Sequence, residues 1–446
     1  MSLSAKFVAI AKKVLPSPFT IAIFLTFATA LLALFLTEPN DSGNAHLLQI
    51  AGFWEKGFWE LLKFTMQMMM ILVLGHALAL SKPFSKLIDK ILVLCKDMPS
   101  AAFVVTFFTL IFAFINWGLG LVFGAIFARK LGEYAKRKNI PLNYPLIGAA
   151  AYSGLMVWHG GLSGSAPLTI TGEKHFLVEK IGVIPVQETI FSTMNITTSL
   201  LLLIILPSLM YFIAKRSETA AYSMPKTEWD DEDIEVVDGA EKLDHSKIFA
   251  FIIGGIFLAI SIWKAIEVGN FFKMLNLNAI NFLFFGLCLL FHGSISNFSK
   301  AVKTAITGST GILIQFPLYA GIMGIMKYSG LINEFSAFFV QISNDFTFPF
   351  FTFISAGIVN VFVPSGGGQW AVQGPIIVEA ASQLNVSLPK CVMALSYGDQ
   401  LTNMLQPFWA LPLLGITGLK AKEILPYTFL MFLAGLCVFG LILAIF

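Results

Sequence analysis

Asp399 is the most exceptional residue of the chain, because it lies within an apolar run, where a carboxylate is costly and usually functional. It opens the stretch Asp399-Gln-Leu-Thr402-Asn403-Met-Leu-Gln406-Pro407. Taking up a proton or coordinating a cation for coupled movement of a substrate would suit it; a hydrogen-bonded structural acid is the alternative. A second polar kink, His159-Gly-Gly-Leu-Ser163-Gly-Ser165-Ala-Pro167, interrupts another apolar run. His159 could carry the proton, donate to a substrate, or only bridge two helices, and His76 has weaker claims to the same roles. Two further interruptions are Asn116-Trp117-Gly118-Leu119-Gly120 and Pro364-Ser365-Gly366-Gly367-Gly368-Gln369-Trp370. In a bilayer, broken helix is tolerated only where it is buried in protein or lines a wet cavity, so four interruptions point to a site. The glycines at 366 to 368 allow successive N–H groups to face a cavity at the start of a helix, an anion nest. Close helix packing is the other use of such glycines.

The chain has three arginines, Arg129, Arg137 and Arg216, all in apparent loops, so no guanidinium clamp awaits a di- or tricarboxylate. A singly charged, partly apolar anion fits better. The candidate substrate-binding set is Asn116, Gly118, Gly120, His159, Ser163, Ser165, Ser365, Gly366, Gly367, Gly368, Gln369, Thr402 and Asn403, with Asp399 for the coupling ion. Trp117, Trp158, Trp370 or Phe408 could cover a short alkyl tail. Two other classes compete. Gly161-Leu-Ser163-Gly164 matches the GxSG of an intramembrane serine protease, with His76 or His159 as the base. An anion channel also suits the interruptions, although no ring-forming filter motif is present. Cys95, Cys288, Cys391 and Cys437 lack CxxC spacing and neighbouring histidines, and read as small core residues. No metal or cofactor is expected beyond a coupling H+ or Na+.

The elements that must position these residues are membrane helices. Of 446 residues 57% are hydrophobic and 12% charged, with a mean hydropathy of +0.79, enough for roughly ten spans of roughly 20 residues and no large soluble domain. A net charge of +3 is too small and too balanced for a nucleic-acid binder. Nine apolar runs, near 17–37, 61–80, 145–170, 187–213, 248–267, 277–293, 304–327, 389–418 and 424–446, are candidate spans. The first follows Lys12 and Lys13 and reads as a span rather than a signal peptide. The stretches 100–136 and 346–386 are broken in the middle. Lysines and arginines flank both mouths of the first, making it re-entrant from the cytoplasm. Alternating spans from an inside N-terminus open the second to the other side and leave the C-terminus there.

One hairpin from each face is the pattern of an inverted repeat. Gln67/Gln315, Ser81/Ser329, Asn116/Asn360 and Tyr152/Tyr397 stand 248, 248, 244 and 245 residues apart. The chain divides into an N-terminal span (1–50), repeat one (51–214; hairpin 100–136, broken helix 145–170), an acidic cytoplasmic linker (215–247), connecting spans (248–299) and repeat two (300–446; hairpin 346–386, broken helix 389–418). The predicted fold class is therefore an all-α polytopic membrane protein, an inverted repeat with two re-entrant hairpins, two discontinuous helices and about nine full spans.

Val361-Phe-Val-Pro-Ser-Gly-Gly-Gly-Gln-Trp-Ala-Val-Gln-Gly-Pro-Ile376 resembles the signature region of AtoE-type bacterial short-chain fatty acid transporters. The resemblance extends across the chain, including Trp158 to Pro167 and the Asn116 tip. It implies uptake of short monocarboxylates such as acetoacetate or butyrate across the bacterial inner membrane. That family is similar to a wider ion-transporter superfamily whose dicarboxylate symporters are dimers with a scaffold and an elevator-like transport domain, implying a homodimer here. Those symporters bind sodium at Ser-Asn-Thr tips. This sequence has Asn116 with glycines and Ser365 with glycines instead, which leaves H+ or Na+ open.

Overall fold

The computed structural model describes residues 18–39, 45–218, 239–269, 274–406 and 409–446. Lys12 and Lys13, the acidic core of the linker (219–238) and the pair Pro407 and Phe408 lie outside them. The described residues form helices and no strands. The principal helices of the first part are α1 (Pro18–Leu36), α2 (His46–Phe58), α3 (Leu62–Ala79), α4 (Lys82–Ile91), α5 (Met98–Ile115), α6 (Trp117–Lys138), α7 (Tyr144–Tyr152), α8 (Ser165–Thr169) and α9 (Thr193–Arg216). Two connecting helices follow, α10 (Lys247–Glu267) and α11 (Leu277–His292). The second part holds α12 (Ile295–Ile306), α13 (Thr310–Ser329), α14 (Leu331–Ile342), α15 (Phe348–Phe362), α16 (Gly366–Gln383), α17 (Leu388–Thr402), α18 (Leu411–Thr417) and α19 (Ala421–Ile445).

The two parts repeat one plan: a long helix (α3, α13), a short amphipathic one (α4, α14), a hairpin (α5–α6, α15–α16), a broken helix (α7–α8, α17–α18) and a final long helix (α9, α19). Seven described helices, the α12–α13 rod counted as one, are long and apolar enough to cross a membrane. One of these is hairpin arm α5, so that number is not the number of crossings. About nine crossings follow when α11 and the two broken helices are included and the hairpin arms are left out.

Ion pairs mark the two ends of the molecule. At one, Lys130 meets Asp89 at 2.7 Å and Arg129 donates to the Ile416 carbonyl at 3.2 Å. At the other, Lys327 meets Glu60 at 3.4 Å and Lys180 meets Glu379 at 2.8 Å. Helix α3 runs between them, a length of ~27 Å. Hairpin one has its mouth at the lysine-rich end and hairpin two at the opposite end, which makes the repeats inverted.

Each hairpin turns on a capping residue. Asn116 and Ser365 both have extended backbone, φ −157° and −162°. Their side chains accept from Leu119 N at 2.9 Å and Gly368 N at 3.2 Å, starting α6 and α16. The structural partner of Asn116 is therefore Ser365, and the expected Asn116/Asn360 correspondence is corrected: Asn360 lies inside α15. Both broken helices begin with a proline in the first turn, Pro145 and Pro389, which costs no helical hydrogen bond there. Helices α2 and α13 cross backbone to backbone, since a Cβ on Gly57 would lie 2.6 Å from Gly324 Cα.

Candidate functional site

His159, from the break after α7, and Asp399, from the last turn of α17, meet at the centre, both fully buried, with Nδ1 and Oδ2 3.0 Å apart. The ring's other nitrogen, Nε2, accepts from Ala166 N at 3.1 Å. An accepting Nε2 carries no proton, so the neutral imidazole holds its proton on Nδ1, facing the carboxylate. The approach is short, but its angle is poor: neither Nδ1 nor Oδ2 has a well-aligned hydrogen bond. Distance makes this an interacting pair, and the misalignment leaves capacity on both atoms for another partner. The Gln400 side chain fixes the backbone of the break by accepting from His159 N and Gly160 N at 3.1 and 3.3 Å.

Hairpin two closes on this pair. A Cβ on Gly366 would lie 2.7 Å from Trp158 Cη2, 2.9 Å from Asp399 Oδ2 and 2.9 Å from His159 Cε1, closer than real Cβ atoms come. Only glycine lets the start of α16 approach so far, and helix geometry leaves the Gly366 and Gly367 N–H groups without acceptors along the helix. A cavity of about 50 Å³ lies here, lined among others by Trp117, Trp158, Ser165, Ser365, Gly366 and Trp409. Trp117 Nε1, Trp158 Nε1 and Ser165 Oγ on its walls are buried donors with no hydrogen-bond partner among the described residues. In a bilayer such orphans are expensive unless a ligand satisfies them.

Several expected residues have other duties. Ser163 Oγ accepts from Trp117 N at 2.9 Å, tying the first break to the tip of hairpin one. With His159 turned to Asp399 and Ala166, no Ser163–His159 pair is assembled. Asn116 Nδ2 anchors the same tip to the Ile71 carbonyl at 3.0 Å. Gly118 and Gly120 serve packing, since a Cβ would lie 2.9 Å from Leu72 O and 2.4 Å from Ala113 Cα respectively. Gly368 abuts the Tyr319 ring. Gln369 donates within hairpin two, to Ala356 O and Gln373 Oε1. Thr402 and Asn403 accept from Asn360 Nδ2 at 2.9 and 2.7 Å, clasping α15 to the second break. Trp370 is buried beside Phe176, away from the cavity. Trp409, not among the expected site residues, packs edge-on to Trp117 with ring centroids 5.2 Å apart. Gln400 and Asn195 also belong to the site without being among the expected residues. Asn195 Nδ2 donates to the Gly160 and Ile190 carbonyls at 2.8 and 2.7 Å. Polar amides inside apolar spans were the available signal.

A vestibule of about 1020 Å³, lined by Glu60, Lys63, Gln67, Lys174 and Lys264 among others, opens at the end opposite the lysine-rich one. Phe64 stands between it and the small cavity, with Phe176 and Phe316 at 6.2 and 5.8 Å between ring centroids. The arrangement is an anion-sized cavity at mid-molecule, with hydrogen-bond donors on one wall, separated from an aqueous mouth by three aromatic rings.

Comparison with known proteins agrees with a transport architecture. The fold is similar to Neisseria gonorrhoeae MtrF, one of a class of antimetabolite efflux pumps, with TM-score 0.56 at 14% identity over 96% of this chain and 95% of that one. It is equally similar to the Alcanivorax borkumensis YdaH transporter, described as having an unusual topology: TM-score 0.56, 14% identity, 96% and 98% coverage. In sequence, proteins of Escherichia coli and Haemophilus influenzae named for short-chain fatty acid transport are 38% and 37% identical, each covering 96% of both chains. Residues 1–446 match the family described as Short chain fatty acid transporter. With the match running from the first residue to the last, through both hairpins and both breaks, the chain belongs to the short-chain fatty acid transporter family.

Proposed function

We propose that the protein moves short-chain monocarboxylates, acetoacetate and butyrate among them, across the bacterial inner membrane by elevator-like alternating access coupled to a cation. The observation that carries the substrate reading is the set of buried, partnerless donors, Trp117 Nε1, Trp158 Nε1 and Ser165 Oγ, around a cavity with no arginine. Neutral donors and a helix N-terminus suit one carboxylate. Opposed hairpins and the family's wider relatives support the elevator and a homodimer, with the lysine-rich end and the N-terminus in the cytoplasm and the C-terminus in the periplasm.

A proton is the favoured coupling ion. A substrate carboxylate held at Gly366 stands beside Asp399, and two like charges in a site shielded from water repel strongly. One proton on the His159–Asp399 pair removes that repulsion. Uptake of radiolabelled butyrate into proteoliposomes, with proton and sodium gradients imposed separately and leak into protein-free vesicles subtracted, tests the proposal. No uptake above leak for any acid from acetate to hexanoate would falsify it. Replacing Ser163 by Ala removes one cap to Trp117 N, worth about 1 kcal/mol. We expect butyrate uptake to fall less than tenfold (about 1.4 kcal/mol), and a total loss accompanied by proteolytic activity in the parent would support an enzyme instead.

A further inference from the structure

The donors form only one wall of the small cavity. The facing wall comes from α3 and from the junction of α12 with α13: Met68, Leu72, Gly308, Gly311, Ile312 and Phe316. Its one polar neighbour, Gln315, already accepts from the Tyr319 hydroxyl at 3.4 Å. A cavity of about 50 Å³ holds about three to five water-sized groups, enough for a carboxylate with a very short tail. Each further methylene must be housed at the apolar wall. Gly308 is exposed, and Gly311 and Ile312 are half-buried, so the cavity opens sideways there. A Cβ on Gly308 would meet only Leu72 Cδ2, at an ordinary 3.9 Å, and no positive φ forbids a side chain. The absence of a side chain at 308 thus keeps space open without being demanded by the backbone.

We propose that Met68, Leu72, Gly308, Ile312 and Phe316 form the chain-length selector of the transporter. The carboxylate lies at the Trp117, Trp158 and Ser165 donors, and the tail extends toward the gap between α3 and the α12–α13 junction, where Gly308 sets its limit. This rests on the monocarboxylate reading above. A hydrophobic pocket discriminates one methylene by about tenfold or more, so the effect is large enough to read as a ratio of two acids within one variant.

The test is uptake of acetate, butyrate and hexanoate into proteoliposomes by the parent, Gly308→Leu and Met68→Ala, after subtraction of leak. Gly308→Leu fills the gap and is expected to lower the butyrate-to-acetate ratio about tenfold. Met68→Ala enlarges the wall and is expected to raise the hexanoate-to-butyrate ratio by a similar factor. Ratios equal to those of the parent in both variants overturn the selector while leaving monocarboxylate transport standing. Should Gly308→Leu fail to insert, an unchanged ratio in Met68→Ala alone overturns it. A parent that moves no acid above leak refutes the underlying reading instead.

Discussion

Asp399→Asn is expected to abolish the dependence of butyrate uptake on a cation gradient and to lower gradient-driven uptake by about ten- to a hundredfold. The amide has nearly the shape of the carboxylate, so the link from Asn403 Nδ2, 3.4 Å from Oδ1, and the backbone bond from Asn360 Nδ2 to Asp399 O at 2.8 Å both survive. What is lost is the charge facing His159 Nδ1 at 3.0 Å. A nearby charge shifts a proton equilibrium by about one to three powers of ten, and the lower part of that span gives the stated range. An amide cannot take up and release a proton at the site. Ionophores that collapse one gradient at a time separate proton from sodium, and a variant whose uptake still follows the same gradient as the parent removes Asp399 from the coupling.

Gly366→Ala should bring uptake of every acid close to leak while the protein still folds and inserts. The added methyl has three neighbours inside 3.0 Å, and two of them belong to the His159–Asp399 pair. The tip of hairpin two must therefore withdraw, and a displacement of about 1 Å in a positioned site costs on the order of a hundredfold. The stability cost of overpacking is smaller, about 1–3 kcal/mol. Gly440→Ala is the control, because nothing lies within 4 Å of its Cβ. Thermal stability in detergent, measured beside uptake, distinguishes a displaced tip from an unfolded chain. Wild-type uptake by Gly366→Ala would show that the close approach is dispensable.

The hairpins and breaks were legible because their causes are local. Pro364 with three glycines cannot continue a helix buried in lipid, and the basic residues around 82–96 and 129–138 flank both ends of the first hairpin and so put its mouth at one end of the molecule. The contents of the site were legible only in part. Gly118 and Gly366 look alike in the chain, yet one abuts Leu72 and the other the His159–Asp399 pair, a difference made by neighbours some distance away in sequence. Ser163 and Ser165 are two residues apart in one kink, and the hydroxyl of the first is used by Trp117 while that of the second is left over. Nothing in Gly-Leu-Ser-Gly-Ser distinguishes them. Asp399 and His159 were each conspicuous as titratable groups in apolar runs, but their meeting across 240 residues requires both breaks to face each other at the same depth.

That meeting also divides the labour of the two halves unequally. At the spacing of 244 that relates Pro145 to Pro389, the position matching His159 is Asn403, and the position matching Asp399 is Leu155. Two identical halves would give conformations related by a two-fold rotation and equal in energy, each populated as often as the other. Here the contact of Gly366 with the His159–Asp399 pair has no counterpart at the opposite tip, where Asn116 binds backbone. The symmetry is broken at its own axis, and on the alternating-access reading proposed above one facing is expected to be more populated than the other even with no gradient and no substrate present.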